Sequence, residues 1–202
     1  MTRTSQPRPR APRRRSLLAG AVAALALAAC APLTPREAAG VAPRVLMPAF
    51  VLDGRMSATD GRQGASGRVE WEHTGHTDRL TLLSPLGQIV ARVDSDADGA
   101  RLTSADGSQR DAPSADALLP EVLGIDVPSA RLPRWVQGAP DDGAQIRERD
   151  AAGRPQLVID QGWRIDYLAY ADDHPEALPA RLDISRGEAR IRLIIDSWTA
   201  LP

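Results

Sequence analysis

The sequence has 202 residues, and its 25 basic side chains nearly balance its 26 acidic ones, which gives a formal net charge of −1. All 25 are arginines, and six of them lie in the first 15 positions, so the rest of the chain is acidic; this argues against nucleic acid as a partner and against attraction to anionic membrane surfaces. A single cysteine excludes a disulfide within the chain.

The first 29 residues have the pattern of an export signal. A basic stretch precedes an uncharged run of 13 residues, Leu17 to Ala29, which is too short to span a bilayer. The run ends in Leu27-Ala28-Ala29-Cys30, which resembles the lipobox of bacterial lipoproteins. We therefore expect residues 1–29 to be removed as a lipoprotein signal peptide and Cys30 to be the site of lipid attachment. The alternative is an incidental cysteine that follows an ordinary signal peptide.

The chain from Cys30 onward has 173 residues, with 19 arginines against 26 acids, a net charge of −7. Its first part is rich in proline, which predicts a flexible tether over residues 30–48, with one helical turn around Arg36–Ala39. Residues 49–202 are enough for a single domain. Gram-negative sorting rules treat Asp after the lipidated Cys as an inner-membrane retention signal. Because Ala31 stands there, the outer membrane is favoured.

Alternation of apolar and charged residues predicts antiparallel strands that have one covered face. In the first strand, Phe50, Leu52, Gly54 and Met56 share a face. A loop rich in Gly, Asp and Ser is expected to follow Met56. The same pattern predicts further strands at 68–72, 79–82, 89–93, 100–103, 145–149, 155–161, 163–170, 181–185 and 189–197.

Two short helices are predicted between the two groups of strands. The first covers Ser114–Gly124, with Ser114 as its N-cap, and Pro120 predicts a kink or a helix in two pieces. The second covers Leu132–Gln137. A sheet with one apolar face must close on itself or be plugged, and the helices are the obvious plug. The fold class expected is mainly β with a helical lid. From composition alone, its interior is either a dry core or a cavity for acyl chains.

The hairpin Leu80–Arg92 has an unusual turn. Pro85 suits the first central position, and Gly87 suits the exit. Leu86 occupies a position that normally faces water, where an apolar side chain forgoes roughly 1.5–3 kcal/mol of burial. Either Leu86 folds back onto the sheet, or it is held out to meet an apolar partner.

The sequence offers little support for a metal site, a catalytic site or a nucleotide-binding site. Asp94–Gly99 matches half of a calcium loop, but Ala105 stands where a bidentate Glu is required, so a polar hairpin turn is favoured. His73 and His76 lie near no further His or Cys, so no metal site is predicted. No nucleophile elbow or nucleotide-binding loop is present. We therefore expect neither an enzyme nor a cofactor.

Five stretches of the chain resemble, in order, the LolB family of outer-membrane lipoprotein receptors, and together they contain all four tryptophans. The departures are Ser84 in place of the Asn associated with the motif, the absence of Lys, and Pro120 in the helix. The stretches are Val69–Trp71, Leu80–Val93, Arg134–Gly138, Gly162–Tyr167 and Ile194–Trp198.

The resemblance implies an incomplete, strongly curved antiparallel β-barrel that encloses a hydrophobic cavity. A member of this family accepts acylated client lipoproteins from the periplasmic carrier LolA and inserts them into the outer membrane, from the periplasmic side. It uses a Leu that projects from a loop, and Pro85, Leu86 and Gly87 stand at that place. A monomer is expected, in contact with outer-membrane lipid through Cys30 and Leu86.

Nine side chains are candidates to line the acyl-binding cavity: Leu52, Val69, Trp71, Leu80, Leu82, Trp135, Ile165, Leu193 and Ile195. Two alternatives stay open. The first is a non-enzymatic accessory outer-membrane lipoprotein with a filled core. The second is a module that binds lipid or another small ligand in a different pocket.

Overall fold

The structure, a computed structural model, describes residues 44–202. The predicted signal peptide, the predicted lipid-attachment site Cys30 and the helical turn expected around Arg36–Ala39 lie outside the described residues. Within the described part, Arg44 donates hydrogen bonds to backbone carbonyls of residues 175–177, and the backbone N–H of Met47 donates to Gln137 Oε1 at 2.8 Å. The end of the predicted tether is thus held against the domain.

The described residues form one antiparallel sheet of eleven strands in the order β6-β5-β4-β3-β2-β1-β11-β10-β9-β8-β7. Consecutive strands pair with each other, except β6 and β7, and β1 also pairs with β11, which joins the two halves of the sheet. β6 and β7 are its edges, so the barrel is incomplete. The strands are β1 Phe50–Thr59, β2 Gly64–His73, β3 Asp78–Leu83, β4 Ile89–Ser95, β5 Ala100–Ser104, β6 Gln109–Ala112, β7 Gln145–Arg149, β8 Pro155–Asp160, β9 Trp163–Tyr170, β10 Pro179–Arg186 and β11 Ala189–Ala200.

The strands form where apolar residues alternate with charged ones, because alternate side chains point to opposite faces of a sheet. In β1, Phe50, Leu52 and Met56 are buried on the inner face, as predicted, while Arg55 is exposed on the outer face. Gly54 also faces inward, beside a register shift between β1 and β11.

Four short helical pieces, together called the lid below, connect the two edge strands. They are a 3₁₀ turn Ala115–Ala117, α1 Leu119–Leu123, a 3₁₀ turn Ser129–Arg131 and α2 Leu132–Val136. The prediction of a first helix in two pieces is confirmed. Pro120 lies in the first turn of α1, where its missing N–H costs no hydrogen bond. Gly124 ends α1 at a φ of 74°. No helix within residues 44–202 is long and apolar enough to cross a membrane.

Three local predictions differ from the structure. Ser114 occupies the N-cap position as predicted, but it caps a 3₁₀ turn instead of an α-helix, and its side chain makes no capping hydrogen bond. β6 was missed, because Gln109–Ala112 has no apolar alternation and pairs only with β5. β1 and β2 extend through most of the loop expected after Met56, leaving only residues 60–63 between them.

Candidate functional site

In the turn between β3 and β4, the backbone N–H and carbonyl groups find their hydrogen-bond partners within the turn itself. The Gly87 N–H donates to the Ser84 carbonyl at 2.9 Å, and the Ser84 N–H donates to the Gln88 carbonyl at 2.8 Å. The Ser84 hydroxyl oxygen accepts the N–H groups of Leu86 and Gln88, each at 3.3 Å. Gly87 has a φ of 79°, which a residue without a Cβ adopts at no steric cost. The turn is therefore held without using the Leu86 side chain.

Leu86 projects from this turn with 88% of its surface exposed. Of the two alternatives from the sequence, the structure shows the projecting one. A solvated leucine forgoes about 1.5–3 kcal/mol of burial. This cost is offset only if the side chain meets an apolar environment.

The inner face of the sheet and the lid share one apolar core. Eight of the nine side chains predicted to line a cavity are buried in it, and Leu80 is half-buried against it. The nine therefore share one face of the sheet or the lid side that covers it. Most of them pack against each other rather than against open space.

A small apolar cleft of about 40 Å³ lies between β2–β4 and the lid. Of the predicted cavity residues, it brings together only Trp71 and Leu80. The other apolar residues of the cleft were not among the nine candidates, although Leu119 lies in the first predicted helix. The remaining lining residues are Asp78, Val93, Ser95, Ala115, Leu119, Ser129 and Leu132.

Trp135 attaches the lid to the other half of the sheet. Its indole ring is fully buried, with its centroid 5.9 Å from that of the Trp163 ring. Tyr167 donates its hydroxyl proton to the Trp135 carbonyl at 2.8 Å. Burial raises the pKa of this Tyr167 hydroxyl well above its ordinary value. The Trp135 end of the lid is thus fixed, and the cleft is lined by both lid helices, through Leu119 of α1 and Leu132 of α2.

The two alternative metal motifs have structural roles. Asp96 Oδ1 accepts the N–H groups of Asp98 and Gly99, as in an ordinary polar turn. His73 Nδ1 lies 2.8 Å from Asp78 Oδ1, which also accepts the Trp71 indole N–H. Within residues 44–202, no group of three or more His, Cys, Asp or Glu side chains is arranged to hold a metal ion.

Comparison with known proteins identifies relatives over almost the whole chain. The family model described as outer membrane lipoprotein LolB matches residues 48–198. An outer-membrane lipoprotein LolB from Azoarcus sp. (strain BH72) is 56% identical, over 94% of this chain and 98% of the relative. Another, from Thiobacillus denitrificans, is 39% identical over 89% of this chain and 95% of the relative.

Among solved structures, the crystal structure of a LolA superfamily protein from Nitrosomonas europaea matches with a TM-score of 0.50. The match covers 79% of this chain and 89% of that chain, at 10% sequence identity. At this level of identity the likeness concerns the fold alone. The fold described above is therefore similar to that of the Nitrosomonas europaea protein.

Proposed function

Because the chain belongs to the LolB family of outer-membrane lipoproteins, we propose that it is a receptor of the same kind. In this role it accepts acylated lipoproteins from the periplasmic carrier LolA and inserts them into the outer membrane. The observation that carries the proposal is the exposure of Leu86 on a turn that leaves its side chain free. The activity is not enzymatic, and no residue is assigned a catalytic role.

Uptake depends on the apolar cleft between the lid and β2–β4. Its volume of about 40 Å³ is far below the roughly 300–1,000 Å³ of typical ligand pockets. Acyl chains therefore enter only when the lid moves away from the sheet and the nine predicted side chains become accessible. Each methylene that passes from the carrier to this interior without crossing water avoids a cost of about 0.8 kcal/mol.

Release depends on Leu86 and on the anchor. In the proposal, acylated Cys30 ties the domain to the outer membrane on its periplasmic side, and the turn Pro85–Gly87 inserts Leu86 into the membrane surface. The bilayer offers acyl chains a larger apolar volume than the receptor does. Transfer can then proceed in one direction with a monomeric receptor and no nucleotide.

The test is a transfer assay with LolA loaded with an acylated client, the lipidated receptor and vesicles. Leu86→Glu is expected to accept the client from LolA normally and to fail at release into the vesicles. Val45→Glu is the matched control, because Val45 is 86% exposed and lies outside the hairpin. Normal release by the Leu86→Glu variant would remove Leu86 from the mechanism, and no uptake by the unmodified protein would refute the function.

The nearly filled interior favours a second candidate, a non-enzymatic accessory outer-membrane lipoprotein that binds another envelope protein through its surface. An environment-sensitive apolar fluorophore distinguishes the two. A receptor whose lid opens takes up the dye in the native state and loses it when an acylated client is added. A filled core takes up none.

A further inference from the structure

A β-bulge exposes two more apolar side chains next to the turn that carries Leu86. Leu82 pairs with Ala91, whereas Leu83 pairs with Ile89, so Val90 is an extra residue in β4. In a regular strand, Ile89 would share the inner face with Ala91. A bulge re-aims the side chains at its position, and here Ile89 and Val90 are 45% and 43% exposed.

The exposed apolar side chains of the described residues are concentrated at this place. Only five large hydrophobic side chains within residues 44–202 are exposed, and three of them are Leu86, Ile89 and Val90. We call these three the apolar tip. Exposed apolar side chains that gather on one hairpin indicate a binding site for a membrane or a protein.

An arginine without an ion pair within residues 44–202, Arg68, lies in register with the base of the apolar tip, because it is opposite Leu83, which pairs with Ile89. Arg68 on β2 is directly opposite Leu83, which puts their Cβ atoms about 4.5–5.5 Å apart. Its guanidinium is exposed and forms no ion pair with any residue of the described part. On its other side Arg68 faces Arg55, a like-charged neighbour whose own guanidinium binds Asp196 at 2.8 Å. Because like charges directly opposite each other destabilise a sheet, Arg68 gains by binding an anion.

The opposite end of the same strands carries the opposite charge. There an open polar cleft of about 620 Å³ is lined by six carboxylates and two arginines. β3, which connects the two ends, is about 20 Å long. Much of the negative charge of this half of the sheet therefore lies at the end away from the apolar tip. The cleft carboxylates belong to Glu72, Asp78, Asp94, Asp96, Asp98 and Asp111.

We propose that the apolar tip and Arg68 form one docking surface for a phospholipid bilayer, with the Arg68 guanidinium binding a lipid phosphate. This proposal rests on the proposed function and extends it. Ile89 and Val90 enlarge the area that enters the acyl region, and Arg68 fixes the depth and orientation of the hairpin at the level of the headgroups. A planar guanidinium suits phosphate, because two of its N–H groups can bind two oxygens at once.

The experiment measures binding of the chain from residue 30 onward carrying Cys30→Ala, so that neither an acyl anchor nor the apolar signal segment contributes, to phosphatidylcholine vesicles with and without phosphatidylglycerol. Arg68→Gln is expected to weaken binding to the anionic vesicles about fivefold. The control Arg147→Gln removes the same charge from β7, at the far edge of the sheet, and is expected to have no effect. Arg68→Lys should recover part of the binding.

The apolar half of the surface is tested with the double variant Ile89→Thr and Val90→Thr, which keeps the β-branched side chains that suit a strand. It is expected to weaken binding about tenfold to both kinds of vesicle. The melting temperature of every variant is measured first, and Arg68→Gln, which is exposed, keeps the test decisive if the double variant unfolds.

Equal binding by Arg68→Gln and Arg147→Gln, or unchanged binding by the folded double variant, would overturn the proposal. Normal vesicle binding combined with slower uptake from LolA would instead assign the surface to the carrier. The vesicle assay contains neither carrier nor client. A protein that docks but does not transfer would therefore refute the proposed function and leave the docking surface standing.

Discussion

Trp135 and Asp160 form a buried contact between the lid and the sheet, in which the indole Nε1 donates a 2.7 Å hydrogen bond to Asp160 Oδ2. Asp160 is only 3% exposed, and the guanidinium of Arg131 lies 3.6 Å from the same oxygen. A buried carboxylate is tolerated only when donors of this kind surround it. The contact therefore fixes α2 over β8 and β9.

Replacing this carboxylate should destabilise the fold. Asp160→Ala is expected to lower the free energy of unfolding by about 1–3 kcal/mol, because it leaves the buried Trp135 N–H without an acceptor, while Arg131 keeps its ion pair with Asp141. Asp160→Asn keeps an acceptor oxygen and should lose less. Urea denaturation measures both values. A loss below about 1 kcal/mol for Asp160→Ala would show that the contact does not hold the lid.

Stability should fall at alkaline pH because of the two tyrosines. Burial raises the pKa of both Tyr167 and Tyr170 above the ordinary value. The stability that these two buried, neutral hydroxyls provide is fully present below the unfolded-state pKa of about 10. It is lost as the pH rises through the folded-state pKa values, because over this range the unfolded chain binds fewer protons than the folded one. The chain has no Lys to titrate in the same range.

This pH dependence can be measured as the free energy of unfolding at a series of values from about pH 9 to pH 11. Tyr170→Phe removes one titrating group and should make the decline shallower, although it also loses the hydrogen bond from the hydroxyl to the Pro155 carbonyl. A variant whose decline is as steep as that of the unmodified protein would contradict this account.

Gly67 should resist substitution. A Cβ at this position of β2 would overlap the carbonyl oxygen of Leu83, the last residue of β3 before the turn. Gly67→Ala is therefore expected to lower the free energy of unfolding by about 1–3 kcal/mol and to displace the hairpin. Ser66→Ala, next to it and exposed, should change stability by less than about 0.5 kcal/mol. Equal effects of the two substitutions on the free energy of unfolding would show that β2 and β3 move apart at Gly67 without losing stability.

The chemistry required at position 86 can be tested with a series of side chains. If Leu86 enters the membrane, release of client should follow hydrophobicity, with Leu86→Met and Leu86→Phe near normal, Leu86→Ala reduced and Leu86→Glu lowest. Melting temperatures should stay unchanged throughout the series, because the side chain makes no packing contact to lose. Normal release by Leu86→Ala would show that the shape of the turn matters, rather than its apolar side chain.

Much of the architecture could be predicted because it depends on local patterns. Alternating residues and turn residues predict most of the strands, and Pro120 predicts a divided first helix. The turn sequence also singled out Leu86 as a candidate, because it places an apolar residue where a polar one is usual. Its exposure needed the family resemblance or the structure, since a leucine that folds back onto the sheet fits the same pattern.

Other features depend on contacts between distant residues and have no local signal. The bulge at Val90 follows from the pairing of β3 with β4, and it reverses the face that alternation assigns to Ile89. The small volume of the cleft depends on how closely the lid packs on Leu80 and Trp71. Ser114 has the right residue type for a helix cap, but a 3₁₀ turn follows it and its side chain caps nothing.

Because the sheet has two free edges, the domain can change its internal volume without breaking hydrogen bonds between strands. A closed barrel could widen only by breaking hydrogen bonds between strands, whereas here β6 and β7 share none, and only the lid connects them. Both edges are short, and charged residues such as Arg110 and Glu148 limit their pairing with another molecule. Separating these two edges would break no hydrogen bonds between strands, and its cost would be the apolar burial of the lid together with the Trp135 contacts that hold α2.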